Sequence, residues 1–259
     1  MSYIEQLYDL KGKVAVIIGG TGELCSHMAL GLAKAGVEVV LSGRNEDKGL
    51  AGVDMIEEAG GSAYFVATDL MEKGSLYALQ DIVLERSGRI DILINGAGVN
   101  IGKPVFDTPT EDFQTVLDIN LTATFQACQI FGQYFIEHSI PASIINLGSI
   151  AGMTPISNSF AYSASKAAIH NLTKNLAREW AENDIRVNTI IPGFFPSEQN
   201  QRALDETRIL EILRQTPMSR FGNPEELIGL TLLLSSAKAS SYITGSEFVI
   251  DGGFSTMSI

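Results

Sequence analysis

Seven short runs rich in valine and isoleucine, at residues 13–18, 37–42, 63–67, 90–95, 143–147, 186–191 and 247–250, alternate with longer segments of helical periodicity. Most of the runs are continuously apolar, the pattern of strands buried on both faces of a parallel sheet. The helical segments occupy 26–35, 47–59, 74–86, 110–137, 160–181 and 224–235, and the last opens on the cap signal Asn223-Pro224-Glu225. Strict alternation of strand and helix specifies an α/β fold with a doubly wound, seven-stranded parallel sheet and helices on both faces, joined by right-handed crossovers. No repeat, low-complexity tract or composition break marks a linker, so residues 1–259 read as a single domain.

In such sheets ligands bind beyond the carboxyl ends of the strands, where the strand order reverses. Gly19-Gly20-Thr21-Gly22 falls between the first strand and first helix, where backbone amides and a helix N-terminus can receive a pyrophosphate. Read from Gly20, the pattern Gly20-x-Gly22-x-x-Cys25 is a dinucleotide fingerprint with its last glycine replaced by a small cysteine. Glu23 lies inside this loop, and its carboxylate is expected to turn away from a diphosphate. The second strand ends Leu41-Ser42-Gly43-Arg44-Asn45, without the carboxylate that would hold a free ribose 2′-hydroxyl. Arg44 can instead grip a 2′-phosphate through paired hydrogen bonds, so NADP(H) is the expected cofactor, with NAD(H) as the second option.

Tyr162 and Lys166 are four residues apart, one helical turn, and share a helix face. A free tyrosine has a pKa of about 10, and exchanging a proton near neutrality requires a fall of roughly three units, on the order of 4 kcal/mol. A nearby ammonium acts in that direction. Interconversion of an alcohol and a carbonyl needs such a tuned acid, because a proton must cross while a hydride goes elsewhere. Ser149 follows the apolar run 143–147, so its hydroxyl is expected at a strand's carboxyl edge, where it can hold a substrate oxygen.

These residues, with Asp69-Leu70, NGAG at Asn95 to Gly98, Asn120 in DINLTATF, YSASK at 162–166, Pro192-Gly193 and a closing Asp251-Gly252-Gly253, resemble the short-chain dehydrogenase/reductase family along essentially the whole chain. The resemblance implies a Rossmann-like dinucleotide-binding domain. It implies that Tyr162 is the general acid/base, that Lys166 depresses its pKa and holds the nicotinamide ribose, that Ser149 steadies the substrate oxygen and that Asn120 positions a water. Cofactor contacts are implied for Gly19, Thr21, Gly22, Leu24, Gly43, Arg44, Asp69, Leu70, Asn95, Ala97, Gly98, Tyr162, Lys166, Pro192, Gly193, Phe195 and Ser197. Asp69 and Leu70 would flank the adenine, and Asn95 to Gly98 would wall the adenine ribose. Four positions depart from the family pattern: Glu23 and Cys25 stand at its second and third glycines, Gly96 replaces an asparagine, and Ser197 stands where a threonine is common and keeps the hydroxyl.

A substrate loop at about 193–215, dense in amides and holding one guanidinium in its first ten residues, suits a polyhydroxylated or carboxylated small molecule. GFFPSEQN, TPMSRFGNPEEL and GELC are similar to the sugar-acid branch of the family, D-mannonate oxidoreductases and gluconate 5-dehydrogenases. Reduction of a 3-oxoacyl thioester and a non-catalytic dinucleotide-binding regulator are the alternatives. The family also implies a homotetramer or homodimer built on the long helices 110–137 and 160–181.

A formal charge of -12 argues against nucleic acid and anionic membranes as partners. Cys25 and Cys128 are too few for a disulfide framework, no Cys/His cluster has metal-ligand spacing, and the N-terminus lacks a leader pattern, which together suggest a reducing cytoplasm and no metal. His27, His138 and His170 are scattered and read as ordinary surface or helix positions.

Overall fold

The computed structural model describes residues 2–195 and 205–257. Seven parallel strands, β1 (Val14–Ile18), β2 (Glu38–Gly43), β3 (Ser62–Ala67), β4 (Ile92–Asn95), β5 (Ala142–Leu147), β6 (Ile185–Pro192) and β7 (Glu247–Ile250), form one sheet. Their order is β3-β2-β1-β4-β5-β6-β7, so the sheet winds outward in both directions from β1. β1 pairs with β2 on one side and β4 on the other, and the chain's first crevice opens between the ends of β1 and β4, where Ile18 is registered with Asn95.

The continuous apolar runs became strands because both faces are covered. Along β1, Val14, Val16 and Ile18 enter one core while Ala15 and Ile17 enter the other, the two-residue period of a strand expressed twice. The first core packs against α4 (Ser75–Ser87), α6 (Ala123–Glu137) and α7 (Phe160–Trp180), with Phe131 and Phe135 fully buried. The second packs against α2 (Glu23–Lys34), α3 (Glu46–Glu58) and α9 (Ile228–Ser235).

The long helix expected at 110–137 is broken. α5 (Thr110–Leu117) leads into a π-helical turn, Asp118–Thr122, before α6 resumes. Such wide turns cluster at functional sites because they re-aim a side chain inward; here that residue is Asn120, which is fully buried. Two helices lie where none was expected: α1 (Tyr3–Tyr8), closed by a Ser2/Glu5 capping box, and α8 (Glu206–Gln215), capped by Asp205. The expected substrate loop is therefore partly helical, since α8 occupies 206–215.

Candidate active site

The sequence Ile18-Gly19-Gly20 turns sharply because Gly19 has φ +79, and a Cβ there would lie 2.5 Å from the Ala97 nitrogen. Only glycine lets the loop after β1 touch the loop after β4. Gly19 and Gly20 both donate backbone hydrogen bonds to the Ser42 carbonyl, at 2.9 and 3.0 Å, which ties the same loop to the end of β2. Gly22 is the N-cap of α2 and offers no side-chain cap, so the free N–H groups of the first turn face the crevice. Glu23 is exposed at its rim.

One part of the crevice is lined by Gly19, Thr21, Gly22, Gly43, Arg44, Asp69, Leu70, Ala97 and Gly98. It runs into a second part through the shared residues Gly22, Gly96 and Gly98, and there Leu24, Pro192, Gly193 and Phe195 form walls. A cradle that a single Cβ would fill, with open amides at a helix start, fits a nicotinamide dinucleotide. Asn95 lines neither part. Its amide turns into the protein and donates to Asn146 Oδ1 at 2.8 Å and to Cys128 Sγ at 3.3 Å, because β4 and β5 are paired at that point. Gly96 and Val99 stand in the wall instead. Ser197 lies outside the described residues.

The second part of the crevice brings Ser149, Tyr162 and Lys166 together. Ser149 sits two residues beyond β5, as expected, and its Oγ accepts the Ala151 N–H at 3.1 Å. Tyr162 is in the first turn of α7 and Lys166 in the next. Burial pushes the Tyr162 hydroxyl above its ordinary pKa, and the group that pulls it back is Ser149, through a side-chain hydrogen bond. Lys166 Nζ lies 5.7 Å from the Tyr162 ring centre and donates to the Leu147 carbonyl at 2.7 Å. Burial lowers the lysine to about 8, with Cys25 pulling weakly the other way.

Asn120 is committed at both ends of its amide. Oδ1 accepts the Val99 N–H at 2.8 Å, and Nδ2 donates to the Val99 carbonyl and to Ser165 Oγ, both at 3.0 Å. Its side chain pins the loop after β4 to α7.

Three contacts escaped sequence reading. The closing Asp251-Gly252-Gly253 follows β7 and reaches the same sheet edge: a Cβ on Gly193 would lie 2.6 Å from Asp251 Cβ, so the turn braces the loop after β6. Cys25 Sγ would lie 2.1 Å from a Cβ on Gly96, so these two departures from the family pattern occupy one another's space. His170 is buried behind Ser149, a position that helical periodicity alone does not reveal.

Residues 23–255 match the family model adh_short_C2, described as enoyl-(acyl carrier protein) reductase. The chain belongs to the short-chain dehydrogenase/reductase family. Within this family it is 41% identical to a Bacillus subtilis (strain 168) protein named uncharacterized oxidoreductase UxuB, over 95% of this chain and 96% of the relative. It is 36% identical to 3beta-hydroxysteroid dehydrogenase 1 of Eggerthella lenta, over 95% and 94%. A solved gluconate 5-dehydrogenase from Burkholderia cenocepacia J2315, in complex with NADP and tartrate, superposes with a TM-score of 0.92 at 29% identity, covering 99% of this chain and 100% of that one. The single domain, the seven-stranded parallel sheet and the flanking helices are those of a family oxidoreductase.

Proposed function

We propose that this protein is an NAD(P)-dependent oxidoreductase that interconverts a secondary alcohol and a ketone on a sugar acid, such as fructuronate/mannonate or 5-ketogluconate/gluconate. The observation that carries the reading is one crevice in which a glycine cradle adjoins a wall formed by Ser149, Tyr162 and Lys166, the last two one helical turn apart. A bound nicotinamide supplies or accepts the hydride. Tyr162 transfers the proton: its hydroxyl gives it to a developing alkoxide, or its phenolate removes it from an alcohol. Ser149 holds the substrate oxygen and stabilises the phenolate. Lys166, lowered to about 8, exchanges protons near neutral pH and brings positive charge to the site. Asn120 keeps the Val99 segment and α7 in register, which makes it a positioning residue.

Gly19, Thr21, Gly22, Gly43, Arg44, Asp69, Leu70, Ala97 and Gly98 would hold the adenosine and diphosphate part, and Leu24, Pro192, Gly193 and Phe195 the nicotinamide part. Arg44 is exposed at the end of β2 with no carboxylate among its neighbours 41–45, which supports NADP(H) over NAD(H). The acidic surface supports a small-molecule substrate and no nucleic-acid partner. Two free, buried cysteines suit the cytoplasm, and among the described residues no helix is long and apolar enough to cross a membrane. Phe125 and Ile136, three turns apart on α6, are exposed apolar groups that support assembly into a homodimer or homotetramer; light scattering after gel filtration checks it.

The steroid-active relative makes the discriminating experiment a panel. Sugar-acid ketones, a 3-oxosteroid and a 3-oxoacyl thioester are each offered with NADPH and with NADH. The reading expects turnover on a sugar-acid ketone and faster turnover with NADPH. Oxidation of NADPH by the steroid or thioester alone would overturn the substrate class, and no turnover on any ketone would favour the regulator.

A further inference from the structure

His170 lies on α7 one turn after Lys166, with its ring buried against the segment that carries Ser149. The Ser149 N–H donates to His170 Nε2 across 3.4 Å. That bond is long, but the packing around it is close. A Cβ on Gly148 would lie 2.3 Å from Nε2, and a Cβ on Gly152 would lie 2.8 Å from Cε1. Glycines on both sides of Ser149 let the backbone wrap the edge of the imidazole. An N–H pointing at Nε2 requires a lone pair there, so the ring's proton belongs on Nδ1.

We propose that His170 is a positioning residue for the reaction: its neutral imidazole holds the Ser149 backbone so that the Ser149 hydroxyl meets Tyr162, and protonation of Nε2 in acid releases that hold. The inference rests on the reading of Ser149 and Tyr162 as the reactive pair. A protonated Nε2 would present a donor to a donor, and the buried Ser149 N–H would lose its acceptor. Among the described residues, the charged groups facing the ring are Lys166 and Lys174 on α7 and Glu247 on β7, the last ion-paired with Lys174 at 2.6 Å. The Ser149 segment, residues 147–153, contributes no titratable side chain. Burial, first, and the two ammonium groups hold the imidazole below its ordinary pKa, while Glu247 pulls it upward. The ring is therefore neutral at neutral pH, and the acid limb of activity falls below the usual histidine range.

The test compares kcat against pH for the wild type, His170→Gln, His170→Leu and Glu247→Gln, using the best ketone from the panel. Glutamine can present an amide oxygen near the Nε2 position and does not titrate, whereas leucine leaves the N–H unpaired. His170→Leu should lower kcat by about threefold to tenfold at neutral pH, the worth of one hydrogen bond, with cofactor Kd unchanged. His170→Gln should recover most of that loss and lack the wild type's acid limb. Glu247→Gln should move the limb to lower pH without changing the plateau. An acid limb that survives in His170→Gln, or equal losses in the Gln and Leu variants at every pH, would overturn the proposal. If His170→Leu fails to fold, the Gln and Glu247 profiles still decide it. A wild type with no turnover on any ketone would instead sink the reading beneath it.

Discussion

Cys25 and Gly96 offer the sharpest test of the packing that shapes the crevice. Gly96 has an ordinary backbone conformation, so Gly96→Ala is opposed by contact alone: its Cβ would stand 2.1 Å from Cys25 Sγ, more than an ångström inside ordinary contact. The other neighbours, the Ile18 carbonyl and Leu147 Cγ, are at 3.5 and 3.6 Å and accept a methyl group without moving. Cys25 is 3% exposed on α2, where helical rotamer limits leave the sulfur little room to swing away. Overpacking of this kind costs about 1–3 kcal/mol. Cys25→Ala alone removes one buried atom and should cost about 1 kcal/mol. The double variant Cys25→Ala/Gly96→Ala removes the clash, so it should be about as stable as Cys25→Ala, with a coupling of about 1–3 kcal/mol. Urea midpoints at constant m measure all four corners of the cycle. Single effects that add within about 0.5 kcal/mol would refute the claim that the two residues share one space.

Three further outcomes follow from the site. Ser149→Ala removes the hydrogen bond that holds the Tyr162 pKa down, so the rising limb of alcohol oxidation should move to higher pH; an unmoved limb would contradict the assignment. Lys166 is buried with a charge at neutral pH, and its fall from 10.5 to about 8 corresponds to a cost on the order of 3 kcal/mol. Between about 8 and 10.5 the unfolded chain holds more protons than the folded one, so stability of the cofactor-free protein should rise with pH across that window. Lys166→Met should stabilise it at pH 7 and flatten the rise, which denaturant titrations at pH 7 and 10 would detect. Arg44→Ala should weaken NADPH binding by about tenfold to a hundredfold and leave NADH within about twofold, as read by fluorescence titration.

Much of the fold was legible because the signals are local. Runs of Val and Ile marked all seven strands to within two residues, since strands covered on both faces have no polar positions to confuse the pattern. The break at 118–122 was not legible, because a π turn retains helical spacing and adds only one residue. α1 and α8 were missed since neither buries a long apolar face; α1 buries nothing and α8 buries only Ile212. At the site, spacing put Tyr162 and Lys166 one turn apart and Ser149 just past β5, where all three line one crevice, but it did not show the burial around the phenol or that Lys166 points to the Leu147 carbonyl. Asn95 and His170 show the same limit from opposite sides. One looked like a cofactor contact and turns inward, and the other looked incidental and lies behind Ser149.

The most direct measurement is single-turnover reduction of a sugar-acid ketone by Tyr162→Phe, followed at the nicotinamide absorbance, with NADPH affinity determined on the same sample. Phenylalanine keeps the ring and removes only the hydroxyl that faces the crevice wall with Ser149. Hydride transfer should fall by at least about a hundredfold while NADPH binds as it does to the wild type. Transfer at the wild-type rate, with a wild-type pH profile, would show that the proton travels by another route.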